Sequence, residues 1–247
     1  MNLRYTCKVS SPARPAETPV VFVIDADASV RETLEDLILS AGWQCQTAAS
    51  AEEFLARPPA LTPSCLLVEL SLPGVSGLEL QRLVSHRAEM PVIFMTSRAD
   101  VHATVQAMKA GAFDFLIKPF VNDMLLRAIR EALERSRAEI RHLATARALQ
   151  SRYESLSRRE REVMKLVVSG RLNKQVGGEL GISEITVKAH RGKLMRKMRA
   201  GSFAELVNMA ASLGRTAAAN ESEMDSSYAF AYHDRAGLGA TGSYGHA

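Results

Sequence analysis

Residues 65–77 read Cys65-Leu66-Leu67-Val68-Glu69-Leu70-Ser71-Leu72-Pro73-Gly74-Val75-Ser76-Gly77: four apolar residues, an acid, then a loop rich in Ser, Pro and Gly. A short apolar run bounded by turn signals reads as a buried strand, and here the acid stands where the strand ends. Working outward, Val21-Phe22-Val23-Ile24 ends in Asp25-Ala26-Asp27, Pro91-Val92-Ile93-Phe94-Met95 ends in Thr96, and Phe113-Asp114-Phe115-Leu116-Ile117 ends in Lys118-Pro119. Strands are expected at 20–25, 43–47, 65–70, 91–95 and 113–117, alternating with helices at 28–41, 51–56, 77–87 and 100–110. That alternation predicts a parallel sheet covered on both faces. In such sheets the ligand crevice lies beyond the carboxyl ends of the strands, where Asp25, Glu69, Thr96 and Lys118 all fall.

These strand ends closely resemble the receiver domain of two-component response regulators. The resemblance implies a flavodoxin-like (βα)5 fold of strand order 2-1-3-4-5. It also implies a strand-end aspartate that accepts a phosphoryl group beside an acidic pair, a Thr or Ser and a Lys. The acceptor position falls on Glu69. The first acid of the pair matches Asp25, but the second, which holds magnesium directly, matches Ala26, with Asp27 beside it. Phe115 occupies the switch-aromatic position, which a plain buried strand Phe would also explain.

An aspartyl phosphate needs a positioned carboxylate and a divalent cation held by hard oxygen ligands. With a glutamate as acceptor and one ligand missing, no cofactor is expected and magnesium binding is in question. The extra methylene of Glu69 carries its carboxylate about 1.5 Å outward, into the volume of a phosphoryl group. There it is expected to pair with Lys118 and accept from Thr96, imitating the phosphorylated state. The missing carboxylate at Ala26 lowers the anionic repulsion around it.

A chain of 247 residues, 47% of them apolar, holds one large core or two modest ones. Charge favours two: residues 19–120 carry 7 Lys and Arg against 12 Asp and Glu, whereas residues 157–200 carry 12 against 4. The basic half is an electrostatic footprint for nucleic acid, unless it is simply a solvated surface. Cys7, Cys45 and Cys65 form no CxxC pair, so neither a disulfide framework nor a zinc site is expected, and a reducing cytoplasm fits. No run of about 18 apolar residues exists to span a membrane.

Residues 1–18 read as a disordered leader, 19–121 as the receiver-like domain and 122–155 as a helical linker that includes the last receiver helix. In that linker Leu126, Ile129, Leu133, Ser136, Ile140, Leu143, Arg147 and Gln150 follow a 3,4 spacing that turns polar, so its first turns are expected on the sheet. Residues 156–212 form a second domain, and 213–247, poor in aliphatics, read as a disordered tail. In the second domain Ser157-Arg158-Arg159-Glu160 is a capping-box pattern. A short helix then starts near Asn173 and ends at Gly181, Ser183 caps a helix over 184–198, and Ser202 with Glu205 caps another to about 211.

The segments 156–163, 173–176 and 182–190 are similar to the all-α, four-helix LuxR-type helix-turn-helix of NarL/FixJ regulators, which implies that residues 184–198 are the recognition helix. At about 100° per residue, Val187, Leu194 and Met198 share a core face, and Ile185, Lys188, Ala189, Gly192 and Arg196 the opposite one. Lys188 is the candidate base reader, with Ala189 beside it. Lys174, Thr186, His190, Arg191 and Lys193 are candidate phosphate contacts. His190 also fits a partly buried helix residue, and Gly177-Gly178 either approaches a neighbour closely or weakens its helix.

The leading reading is a non-enzymatic, cytoplasmic transcriptional regulator, homodimeric on double-stranded promoter half-sites, with RNA polymerase as a further partner, no membrane partner and an open question over any sensor kinase. Two alternatives stand beside it. One is a conventional regulator phosphorylated on another acid, Asp25 or Asp27; the other is a protein-interaction adaptor with a ligand-binding pseudo-receiver.

Overall fold

In a computed structural model, which describes residues 18–58, 62–97 and 101–214, strand β1 (Val20–Ile24) lies in the interior of a five-stranded sheet. It is flanked by β2 (Gln44–Ala48) and β3 (Ser64–Glu69), with β4 (Val92–Thr96) and β5 (Asp114–Ile117) beyond β3. The order is 2-1-3-4-5 and every pairing is parallel. Each strand boundary lies within one residue of its expected place. The leader and tail expected to be disordered lie outside the described residues, apart from Thr18, Leu213 and Gly214.

Side chains alternate across the strands, so two cores form. Phe22, Ile24, Leu66, Val68 and Phe94 face one side, with Leu80 and Val84 of α3 (Gly77–Val84) and Ala107 of α4 (Val101–Lys109). Val21, Val23, Leu67, Ile93 and Met95 face the other, with Leu34 and Ile38 of α1 (Ala28–Ser40) and Leu125, Ile129 and Leu133 of α5 (Asn122–Glu154). The short α2 (Ala51–Leu55) adds Phe54, whose ring meets Phe22 edge-on at 5.3 Å. Cys65 is fully buried between these layers, and burial pushes its thiol far above the ordinary range, which makes it inert packing.

The chain divides into two compact units, Met1–His142 and Leu143–Ala247, and α5 supplies residues to both. Its first unit's face differs from the expected spacing: Leu125, Ala128 and Ala132 are buried along with Ile129, Leu133 and Ser136, while Leu126 is half-buried. The sheet covers a stripe wider than a two-position seam. Ser136 is fully buried because it has work there: its Oγ accepts the Ser64 N–H at 3.0 Å and donates to the Glu89 carbonyl.

The second unit adds α6 (Arg158–Val168), α7 (Asn173–Leu180), α8 (Glu184–Met198) and α9 (residues 203–214) around Val163, Val167, Val176, Val187, Leu194, Met198 and Leu206. Leu149 and Tyr153 of α5 pack on this core, whereas Arg147 and Gln150 are exposed. Helix α9 outruns its expected end at 211, since Met209, Ala210 and Leu213 continue its apolar face against the core.

Candidate functional site

At the carboxyl ends of the strands, Lys118 follows β5 and reaches back across the crevice. Its Nζ donates to Asp25 Oδ2 at 2.6 Å and to Glu69 Oε2 at 2.7 Å. The side chains are 16% exposed for Lys118, 4% for Asp25 and 12% for Glu69, so both pairs are shielded from solvent. Burial disfavours the ammonium charge, but the hydrogen bonds and charges of Asp25 and Glu69 outweigh it and hold the Lys118 pKa above its ordinary value. The remaining carboxylate oxygens are also used: Asp25 Oδ1 accepts the Asp27 N–H at 2.9 Å and Glu69 Oε1 the Ser71 N–H at 3.3 Å.

Thr96 is buried at the end of β4, in register with Ile117. Ala26 and Asp27 are exposed, and the Asp27 carboxylate caps α1 by accepting the Ser29 N–H at 2.9 Å. Phe115 is half-buried against the first core. The structure thus joins Asp25, Glu69 and Lys118 directly and sets Asp27 apart.

Two participants escaped the sequence. Arg31 on α1 folds back so that its Nη1 donates to the carbonyls of Asp25 and Ala26 at 2.7 and 3.0 Å. Gly77 lets α3 start against the end of β3, where a Cβ would stand 2.8 Å from the Glu69 carbonyl. A side chain folding back on its own helix entry and a helix-to-strand approach leave no periodic trace. Among the described residues no three His, Cys, Asp or Glu side chains converge as a metal cluster.

The second unit presents α8. Ser183 caps it by accepting the Thr186 N–H at 3.2 Å, and Val187, Leu194 and Met198 are buried as expected. Lys188, Ala189, Lys193 and Arg196 are exposed, as are Lys174 on α7 and Thr186, whose hydroxyl pairs with that of Ser183 at 2.8 Å. Lys188 lies 3.1 Å from Glu184, one turn earlier. His190 is half-buried, and its Nδ1 is enclosed without a hydrogen-bond partner among the described residues.

Arg191, a candidate phosphate contact, also has partners within the domain. It donates to Asn173 Oδ1 at 2.7 Å and lies 5.4 Å over the Phe203 ring, tying α8 to α7 and α9. Lys197, which the sequence did not single out, donates to the Ser155 carbonyl at 2.9 Å and to Glu160 Oε2 at 2.7 Å. Burial works against the Glu160 charge, but Lys197 and the Ser157 amide prevail and hold its pKa below the ordinary carboxylate value. Gly177 is a close approach, since a Cβ there would stand 2.7 Å from the Ile182 carbonyl, while Gly178 faces open space.

Residues 21–130 match the family model "Response regulator receiver domain", and residues 154–210 match "Bacterial regulatory proteins, luxR family". The chain is 45% identical over 199 residues to Nodulation protein W of Bradyrhizobium diazoefficiens, covering 80% of this chain and 88% of that one. It is 42% identical over 195 residues to the transcriptional regulatory protein FixJ of Azorhizobium caulinodans, covering 78% and 92%. The solved structure of the response regulator StyR superimposes with a TM-score of 0.72 at 40% identity, covering 78% of this chain and 98% of that one.

Proposed function

We propose, since this chain belongs to the response-regulator family that joins a receiver domain to a luxR-type DNA-binding domain, that its receiver is held in one state by an internal ion network and does not switch by phosphorylation. The protein is a DNA-binding transcriptional regulator of two-component type. The observation that carries the locked state is Lys118, shared at 2.6 and 2.7 Å by Asp25 and Glu69. Glu69, one methylene longer than the family's aspartate, sets its carboxylate against that lysine in the volume a phosphoryl group would fill.

Magnesium fits this donor set poorly. All four oxygens of Asp25 and Glu69 accept from the chain's own N–H groups, and Ala26 contributes none. Magnesium demands near-octahedral oxygen ligation, and here it would compete with an ammonium ion for both acids. The alternative acceptor Asp27 is engaged as a helix cap.

Binding to paired half-sites requires two copies. Support for a homodimer comes from α4, where Val101, Val105 and Met108 form an exposed apolar stripe, and from exposed Ile117, Val121 and Met124 of the same unit.

The test combines a phosphodonor with DNA. Incubated with magnesium and acetyl phosphate, the wild type stays unmodified, and Glu69→Ala lowers affinity for specific DNA by about tenfold as the locked state loses its anion. Stoichiometric phosphorylation of the wild type, or unchanged affinity in Glu69→Ala, overturns the proposal.

A further inference from the structure

Among the described residues Ile185 is the most exposed large hydrophobic, at 79%. A single exposed aliphatic is ordinary on a protein surface. What distinguishes Ile185 is its place: the second residue of α8, on the arc that also carries Lys188, Ala189, Gly192 and Arg196 at offsets of three, four, seven and eleven residues. A β-branched side chain in the first turn of an exposed helix adds nothing to the folded domain, since it packs on no core and restricts its own rotamers.

The surroundings say what would cover it. Lys188 and Lys193 are exposed on either side of that arc, which suits a polyanion and not an apolar protein partner. The centre of the arc is low, because Ala189 is small and Gly192 has open space around it. A helix seated closely through such a centre brings its N-terminal residues against base edges in the major groove. The apolar feature exposed there is the C5-methyl group of thymine.

We infer that Ile185 is a specificity-determining residue that reads a thymine methyl in each half-site, next to the base contacted by Lys188. Glu184, 3.1 Å from the Lys188 ammonium, orients that lysine alongside it. This inference rests on α8 being the DNA-reading helix, and the experiment separates the two.

The full-length protein selects a half-site from random duplexes, and each selected thymine is then replaced by deoxyuridine, which removes only the methyl group. At one position the replacement lowers wild-type affinity by about fivefold, the same replacement is neutral for Ile185→Ser, and Ile185→Val keeps a partial effect. Ile185 is exposed, so Ile185→Ser folds, and its unchanged binding to random duplex at low salt confirms this. If the wild type selects a site but no deoxyuridine position distinguishes it from Ile185→Ser, the methyl contact is overturned while DNA reading stands. If the wild type selects no sequence, DNA reading by α8 falls and the methyl contact with it.

Discussion

Each unit holds a lysine against a shielded glutamate, and the two arrangements differ in what they leave unfinished. In the second unit Lys197 meets the one carboxylate of Glu160, which also completes a capping box by accepting the Ser157 N–H at 2.8 Å. Every group there has a structural partner, and the pair fastens the end of α8 to the start of α6. In the first unit Lys118 is divided between two acids at the mouth of a crevice, at the position where the family places an exchangeable group. Similar ion pairs fasten two helices in one unit and join three strand ends at a crevice in the other, because the elements around them differ.

Breaking the Lys118 network has the largest effect. Lys118→Met leaves two shielded carboxylates with no cation, which lowers the stability of the first unit by about 3 kcal/mol. Trp43, the chain's one tryptophan, lies in that unit and reports its unfolding by fluorescence in urea. An unchanged Trp43 midpoint would show that the network contributes nothing to folding.

The two pairs also fail at opposite ends of the pH scale. Lys118 has a raised folded pKa, so its contribution is complete below the ordinary value of 10.5 and is lost as pH climbs through the higher folded value. Glu160 has a lowered one, so its contribution is complete above 4.5 and is lost as pH falls through the folded value. Urea midpoints followed against pH are expected to show Trp43 fluorescence weakening on the alkaline side for wild type but less for Lys118→Met. The helical signal of the second unit weakens on the acid side, less so for Glu160→Gln.

The smallest effects sharpen the picture of the second unit. Gly177→Ala drives a methyl group into the Ile182 carbonyl and destabilises by about 1–2 kcal/mol through the shift it forces. Gly178→Ala meets nothing and stabilises α7 by about 0.5–1 kcal/mol. Thermal melts of the two variants moving in the same direction would contradict this geometry.

Much of this was legible in one dimension. Strand and helix boundaries, the caps at Ser157, Ser183 and Ser202, and the buried face of α8 all follow from period and local hydrogen bonding, which act within a few residues. The departures at Glu69 and Ala26 are visible as letters. The contacts that the letters do not show are those whose partners are distant along the chain. Arg191 finds Asn173 across 18 residues, Lys197 finds Glu160 across 37, and Ser136 finds Ser64 across 72. The neighbouring glycines 177 and 178 look alike in sequence and differ only in what the turn at Ile182 brings near them.

The amino-acid sequence by itself determined the two folds, the acid standing at the acceptor position and the basic helix, because each is written in contiguous residues. Only the tertiary structure decided that Lys118 would be held by Asp25 and Glu69 together, 93 and 49 residues away. The physical reason is the parallel sheet: its strand order and register bring three distant strand ends to one crevice, and the reach of a lysine side chain then closes it.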